Sequence, residues 1–239
     1  MLRRILLLTL LIPAVGCILT KTVPFDATKS KVDAKLHGRW TLMVSEKEEP
    51  FIEQINIEKL NAKEKQLYPL GFMKLTIEKS KEKGFRNDVF YFCTGNLGDE
   101  KLAALWVGEW SSDEKSSEKI SKLTAEELKS ARAKLSKFFS SDEEALKQDQ
   151  GFVLFKYSIE KDQLNVEGLG KTAERHSAGL ASAFKKIKAD GKKKLIGVDG
   201  DEVLTDTSAS VRKYLLKHGQ ALFPAKSTFK RVKSVKEQR

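Results

Sequence analysis

From residue 35 onward the chain alternates apolar and polar residues. In FMKLTIEKS, Met73, Leu75 and Ile77 alternate with Lys74, Thr76 and Glu78, the pattern of a half-buried strand. LHGRWTLMVS, with Leu36, Trp40 and Leu42, reads as a strand, and so does FIEQINIEKL, with Ile55 and Ile57. NDVFYFCTG and KLAALWVGEW are apolar on both faces, which predicts strands that are central or covered. Short polar connections carrying Gly or Asn separate these runs, so an antiparallel meander of about five strands is expected.

The period changes at residues 111–150. LTAEELKSARAKLSKFF places Thr124 three residues before Glu127, a capping box. Leu128, Ala131, Leu135 and Phe138 follow at helical spacing, so a helix is inserted between strands. The flanking SSDEKSSEK and SSDEEALKQDQ read as exposed loops. GFVLFKYSIEKDQLNVEGLG then reads as a hairpin turning near EKDQ. TAERHSAGLASAFKKIKAD predicts a second helix, with Ala178, Leu180, Ala181, Phe184 and Ile187 on one side. SASVRKYLLKHGQALFP predicts a third, capped by Ser208, stopped by Pro224, with Val211, Leu215 and Leu222 facing inward. STFKRVKSV closes as a short strand that pairs back into the sheet. The fold class is α+β: an antiparallel, strongly curved sheet or partial barrel of about eight strands, with about three helices packed on it.

The opening residues are of a different kind. MLRRILLLTLLIPAVGC has a positive start at Arg3 and Arg4, then an apolar run from Ile5 to Ile12 broken only by Thr9. That run is the length of a signal-peptide core and too short to span a bilayer, which takes roughly 20 apolar residues. Ala14-Val15-Gly16 sets small residues before Cys17, which suits ordinary signal cleavage. It also resembles a bacterial lipobox, in which the cysteine receives a diacylglycerol before cleavage. Either route starts the mature chain at Cys17, so residues 1–16 are expected to be a signal peptide. Residues 18–34 lack a clear period. With Cys17 lipidated, residues 17–34 are expected to form a tether of about 20–25 Å. Residues 35–239 then make one α+β domain.

Charge and cysteines sharpen this. The chain carries 44 basic and 33 acidic residues, a net charge of +11. Residues 151–239 hold 19 of the basic groups against 10 acidic ones. Lys185, Lys186, Lys188, Lys192, Lys193 and Lys194 form one cluster, a candidate surface for anionic lipid or cell-wall polymer. A solvated lysine-rich face is the plainer reading. Lys226, Lys230, Arg231, Lys233, Lys236 and Arg239 form another cluster. Nucleic acid is not an expected partner of an exported chain. The second cysteine, Cys93, lies in an apolar strand. It is expected to be a buried thiol if Cys17 is lipidated, with a Cys17–Cys93 disulfide as the alternative.

Motifs for catalysis or metal binding are weak. GLGKTAERH has Asn165 where a phosphate-binding loop needs its first Gly, and a strand end with a Thr cap explains it better. His37, His176 and His218 share no ligand spacing with one another, and no HExxH or CxxC occurs. Ser177 lacks the G-x-S-x-G frame. VDGDEVLTD has Val203 where a calcium loop needs oxygen, and reads as an Asp-Gly turn. No cofactor or metal is expected, and the chain is read as non-enzymatic. The aromatic strands are the better lead: if the sheet curls, Trp40, Tyr91, Trp106 and Trp110 are candidates to line a pocket for an apolar ligand.

Gly38-Arg39-Trp40, a G-x-W on the first strand after an export signal, resembles the lipocalins, eight-stranded barrels that carry small hydrophobic ligands. The later FVLFKYSIEKDQLNVEGL, DTSASVRKYLLKHGQALFP and FKRVK resemble the C-terminal half of uncharacterised exported bacterial lipoproteins that also open with a G-x-W strand. The resemblance implies an anchored location and one α+β domain, and no activity. Ile18 rather than Asp after the cysteine resembles the signal for the outer membrane. The functional expectation is a lipoprotein anchored to the cell membrane or outer membrane, facing the periplasm or exterior. It binds an apolar or amphipathic ligand or an envelope partner. The alternative is a structural or interaction protein with a filled core and a basic C-terminal face.

Overall fold

The computed structural model describes residues 19–43, 52–69, 71–79, 88–111, 115–147, 150–168, 203–204, 207–223 and 225–232. Cys17, the helix expected over 172–190, the lysines at 185–194 and most of VDGDEVLTD lie outside them.

Ten strands are formed among the described residues: β1 Leu19–Thr20, β2 Gly38–Leu42, β3 Ile52–Lys59, β4 Met73–Lys79, β5 Asp88–Leu97, β6 Glu100–Val107, β7 Gly151–Glu160, β8 Gln163–Gly168, β9 Val203–Leu204 and β10 Ala225–Arg231. Eight of them close an antiparallel barrel in the order β6-β5-β4-β3-β2-β10-β8-β7, with β7 pairing back onto β6. The sheet expected to curl does so completely. The last strand makes the seam, because β10 pairs with β8 on one side and β2 on the other, setting Phe229 opposite both Leu164 and Leu42. The two-residue β1 takes the stretch of β7 that β8 leaves free, and β9 pairs with β1 in parallel.

A closed wall sends successive side chains to opposite sides. Phe90, Phe92, Leu105, Val153 and Phe155 belong to an inner cluster with Trp40, Ile55, Ile57, Met73 and Ile77. Their strand neighbours Tyr91, Cys93, Ala104, Trp106, Phe152 and Leu154 belong to a second, outer cluster. The strands that read as apolar on both faces are therefore covered on the outside.

Helices provide much of the cover: α1 Ala62–Leu67, α2 Ser116–Lys122, α3 Ala125–Ser140, α4 Asp142–Lys147 and α5 Ser208–Leu222. The expected capping box at the start of α3 is present, with the Thr124 side chain accepting from the Glu127 amide and Glu127 reaching back to the Thr124 amide. Leu128, Ala131, Leu135 and Phe138 are buried against the barrel. Among the described residues no helix is long and apolar enough to cross a membrane.

Three expectations are corrected. The polar stretches at 62–67, 116–122 and 142–147, taken as connections or loops, are short helices, because Leu67, Ile120 and Ala145 each turn an apolar side onto the outer cluster. The cap of α5 is Thr207, whose side chain accepts from the Ser210 amide; Ser208 starts the helix and gives its amide and hydroxyl to Asp142. The segment expected to be a tether is part of the domain from residue 19. Its Thr20, Thr22, Val23 and Ala27 are buried, and it makes a 3-10 turn at Ala27–Lys29. The cause is packing: Val23, Phe25 and Ala27 turn alternate side chains onto the outer cluster.

Gly95 on β5 makes room for this arm, since a Cβ there would come within 2.4 Å of the Phe25 ring. Gly95→Ala is expected to lower stability by about 1–3 kcal/mol through overpacking. Denaturant unfolding checks this, and most of the loss should disappear in a Phe25→Ala background, where the clash is gone.

Candidate functional site

One end of the barrel is closed by the residues around the G-x-W. Asp33 caps a 3-10 turn at Ala34–Leu36, which lays Leu36 into the barrel. The Trp40 indole is fully buried and donates to the Leu36 carbonyl at 2.9 Å. The Arg231 guanidinium lies over the Trp40 ring, 4.1 Å from its centroid. Arg231 also donates from Nη1 to the His37 carbonyl (2.7 Å) and from Nη2 to the Lys35 carbonyl (2.6 Å). A cation stacked on an indole and fixed by two carbonyls is a firm plug. Gly38 completes it, with φ +125° and a missing Cβ that would stand 3.0 Å from Arg231 Nη1.

Two titratable groups sit at this end. Burial pushes Asp33 up, but Lys101 (2.7 Å), the Lys35 amide and the Tyr157 hydroxyl (3.1 Å) outweigh it and hold the carboxyl below its ordinary value. Burial first, and Lys59 second, hold His37 below its ordinary value against the opposing pull of Asp33. Among the described residues the buried His37 Nε2 has no hydrogen-bond partner.

Beyond the plug lies a cavity of about 80 Å³ whose lining is entirely hydrocarbon. Leu36, Ile55, Leu75, Phe92, Ala103 and Phe155 are among its walls. Inward-facing Leu42, Leu75, Ala103, Val107, Ile159 and Val166 keep part of their surface exposed. The space is about half the apolar cavity of roughly 150 Å³ that admits benzene. It is smaller again than the roughly 300–1,000 Å³ typical of drug-sized sites.

The four aromatic candidates are divided by the wall, and none lines this cavity. Trp40 faces inward and serves the plug. Tyr91 and Trp106 are register partners on β5 and β6 and both point outward. Trp106 packs among Phe138, Phe152 and Phe139, with ring centroids 4.6, 5.2 and 5.3 Å away. Tyr91 stacks on Tyr68 at 4.3 Å. Trp110 follows β6, packs partly buried on the outer cluster, and accepts a hydrogen bond from Tyr68 at its carbonyl. The lining rings are instead Phe92, Phe155, Tyr157 and Phe229. Strand period alone does not distinguish these from their outward neighbours.

Outside the wall, Tyr91 belongs to a polar cluster around Glu64, whose side chain is fully buried. Glu64 Oε1 accepts from the Tyr91 hydroxyl (2.8 Å) and the Ser117 hydroxyl (2.7 Å), and Oε2 from the Asn61 amide (2.8 Å). Lys74 Nζ stands 3.8 Å away. Burial above all, with Glu64 adding to it, raises the Tyr91 phenol above its ordinary value and keeps it a donor. The cluster ties α1 and α2 to β4 and β5.

A larger groove, about 750 Å³, runs between residues 21–28 and the ends of α3, α4 and α5. Its strongest polar groups already have partners. Asp142 accepts from Ser208, and Arg212 Nη1 donates to the Pro24 (3.1 Å) and Asn96 (3.0 Å) carbonyls. The barrel cavity is therefore the better ligand candidate despite its size. Among the described residues Cys93 is a free thiol, fully buried in the outer cluster, and burial raises it well above its ordinary value. Among the described residues no group of three or more His, Cys, Asp and Glu is placed to hold a metal ion.

Comparison with protein families, with curated proteins and with solved structures returns no match for this chain.

Two measurements test this geometry. His37 binds its proton less readily folded than unfolded, so stability is full above its ordinary value of 6.5 and falls as pH drops below it. Denaturant midpoints between pH 6.5 and about 5, above most carboxylate titrations, should fall in the parent and flatten in His37→Gln. Separately, Tyr91→Phe removes one donor from buried Glu64 and is expected to cost about 1–3 kcal/mol in denaturant unfolding.

Proposed function

We propose that this chain is an exported, lipid-anchored binding protein whose barrel takes the end of an aliphatic chain. One observation carries the reading: the closed wall surrounds an unfilled space with no polar lining, and three inward-facing apolar side chains that line it, Leu75, Ala103 and Val166, stay partly exposed. In a finished core such side chains would pack to native density. An entirely apolar lining offers a polar ligand group nothing to bond, so the guest's polar end stays outside. The volume sets the shape. A space that is small even for benzene suits a slender alkyl end and not a ring system. Anchoring is carried by the opening residues, with Cys17 as the attachment point and a cell membrane or outer membrane as the location. The chain is read as a binder with no catalytic step, and no cofactor enters.

The experiment is titration with a fluorescent long-chain fatty acid. Binding should be saturable and should weaken about tenfold or more in Ala103→Leu, which fills the cavity, a change of about 1.4 kcal/mol or more. If Ala103→Leu stabilises the protein in denaturant unfolding and leaves binding untouched, or if no binding occurs in the parent, the cavity is a packing gap and the barrel is a scaffold.

A further inference from the structure

Three helix ends meet over the outer cluster. α3 stops at Ser140, α4 starts at Asp142 and α5 starts at Ser208. The residues there are small: Ser140, Ser141, Ser208 and Ala209 all line the groove of about 750 Å³. Side chains this short leave open the space above the rings that bound it. Phe138, Phe139 and Phe152 form an aromatic floor, with centroids 5.7–5.9 Å apart. Phe25 lines the groove from the arm, and it and Phe139 are only partly buried. An aromatic surface, a few polar groups and a volume within roughly 300–1,000 Å³ are the ordinary makings of a small-molecule site.

The charges around the groove are unequally committed. Asp142 accepts from the Ser208 amide at 2.8 Å and its hydroxyl at 2.6 Å, so the α5 N-terminus is already occupied. Asp26 accepts from the Thr28 amide at 2.9 Å and pairs with Lys29 at 3.1 Å. Arg212 is half-buried and only half used. Its Nη1 donates to the Pro24 and Asn96 carbonyls, which fixes the guanidinium between the arm and β5. Nε and Nη2, the edge of the fork that grips an acid group through two parallel bonds, make no bond among the described residues. A cation fixed in this way is pre-organised for an anion. We propose that the groove is a second binding site, for a flat, ring-bearing organic anion whose acid group pairs with Arg212 and whose ring lies on the phenylalanines. Ring against ring adds to the gain from burial alone. The inference depends neither on the barrel guest nor on the anchor, and the two sites divide by shape: an alkyl end inside the wall, a ring outside it.

The test uses the full protein and two fluorescent dyes, 8-anilinonaphthalene-1-sulfonate and N-phenyl-1-naphthylamine, the same ring system with and without an acid group. Ala209 is exposed at the edge of the groove. Ala209→Glu sets a negative charge against the ligand's acid and should weaken the sulfonate about tenfold while moving the neutral dye by less than about twofold. Arg212→Gln should do the same. Because Arg212→Gln also loosens the arm, Ala209→Glu decides if that variant loses both dyes. Ala103→Leu, which fills the barrel cavity, should leave the sulfonate unaffected. The proposal is overturned if the parent does not bind the sulfonate, if Ala209→Glu leaves it unmoved, or if Ala209→Glu weakens both dyes equally. Loss of the sulfonate in Ala103→Leu overturns it too, by placing the dye inside the barrel.

Discussion

A strand closed into a barrel has two faces and no edge, and β5, β6 and β7 are apolar on both. That constraint organises the molecule. Inward, Phe90, Phe92, Leu105 and Phe155 fill most of the lumen. Outward, Tyr91, Trp106 and Phe152 would face water unless something covered them, and the chain devotes α1 to α5 and the 19–30 arm to that cover. The Glu64 cluster belongs to the same solution. It puts hydrogen bonds where helices meet the wall, so the outer layer is fixed in position as well as attracted by burial. What the inner face leaves unfilled is the small apolar cavity walled by Phe92, Ala103 and Phe155.

Much of the fold was legible from short-range pattern. Met73, Leu75 and Ile77 alternate cleanly because β4 has a polar outer face. Thr124 and Glu127 announce α3 because a capping box is complete within four residues. Asn61 and Glu64 make the same box, yet α1 is only six residues long and lacks the run of apolar positions that would have marked it. The arm was missed for a related reason. Val23, Phe25 and Ala27 do alternate, but Pro24 and the surrounding Thr and Lys residues hide a segment whose partners are all distant.

The site was much less legible. A strand apolar on both faces obeys period two whichever face is inside, so Trp106 and Leu105 are equally good candidates from sequence. Only the ring closure between the first barrel strand and the last decides. Tyr91 and Trp106 went outward, where helices can accommodate their bulk, and the lumen kept Ala103 among its phenylalanines, leucines and isoleucines. The G-x-W proved structural: Gly38 leaves room for Arg231, and Trp40 carries it. Nothing near Trp40 in sequence pointed to Arg231.

The seam between β2 and β10 has a consequence for how the chain matures. Residues 38–42 find their permanent neighbour only in residues 225–231, and β10 also completes the edge of β8. Until that last strand is present, the meander has two open edges and an uncovered apolar lumen, a state prone to pairing with other chains. Closure through so distant a contact carries a large loop entropy and makes for slow folding. The barrel therefore cannot lock before residues 225–231 are free to reach residues 38–42.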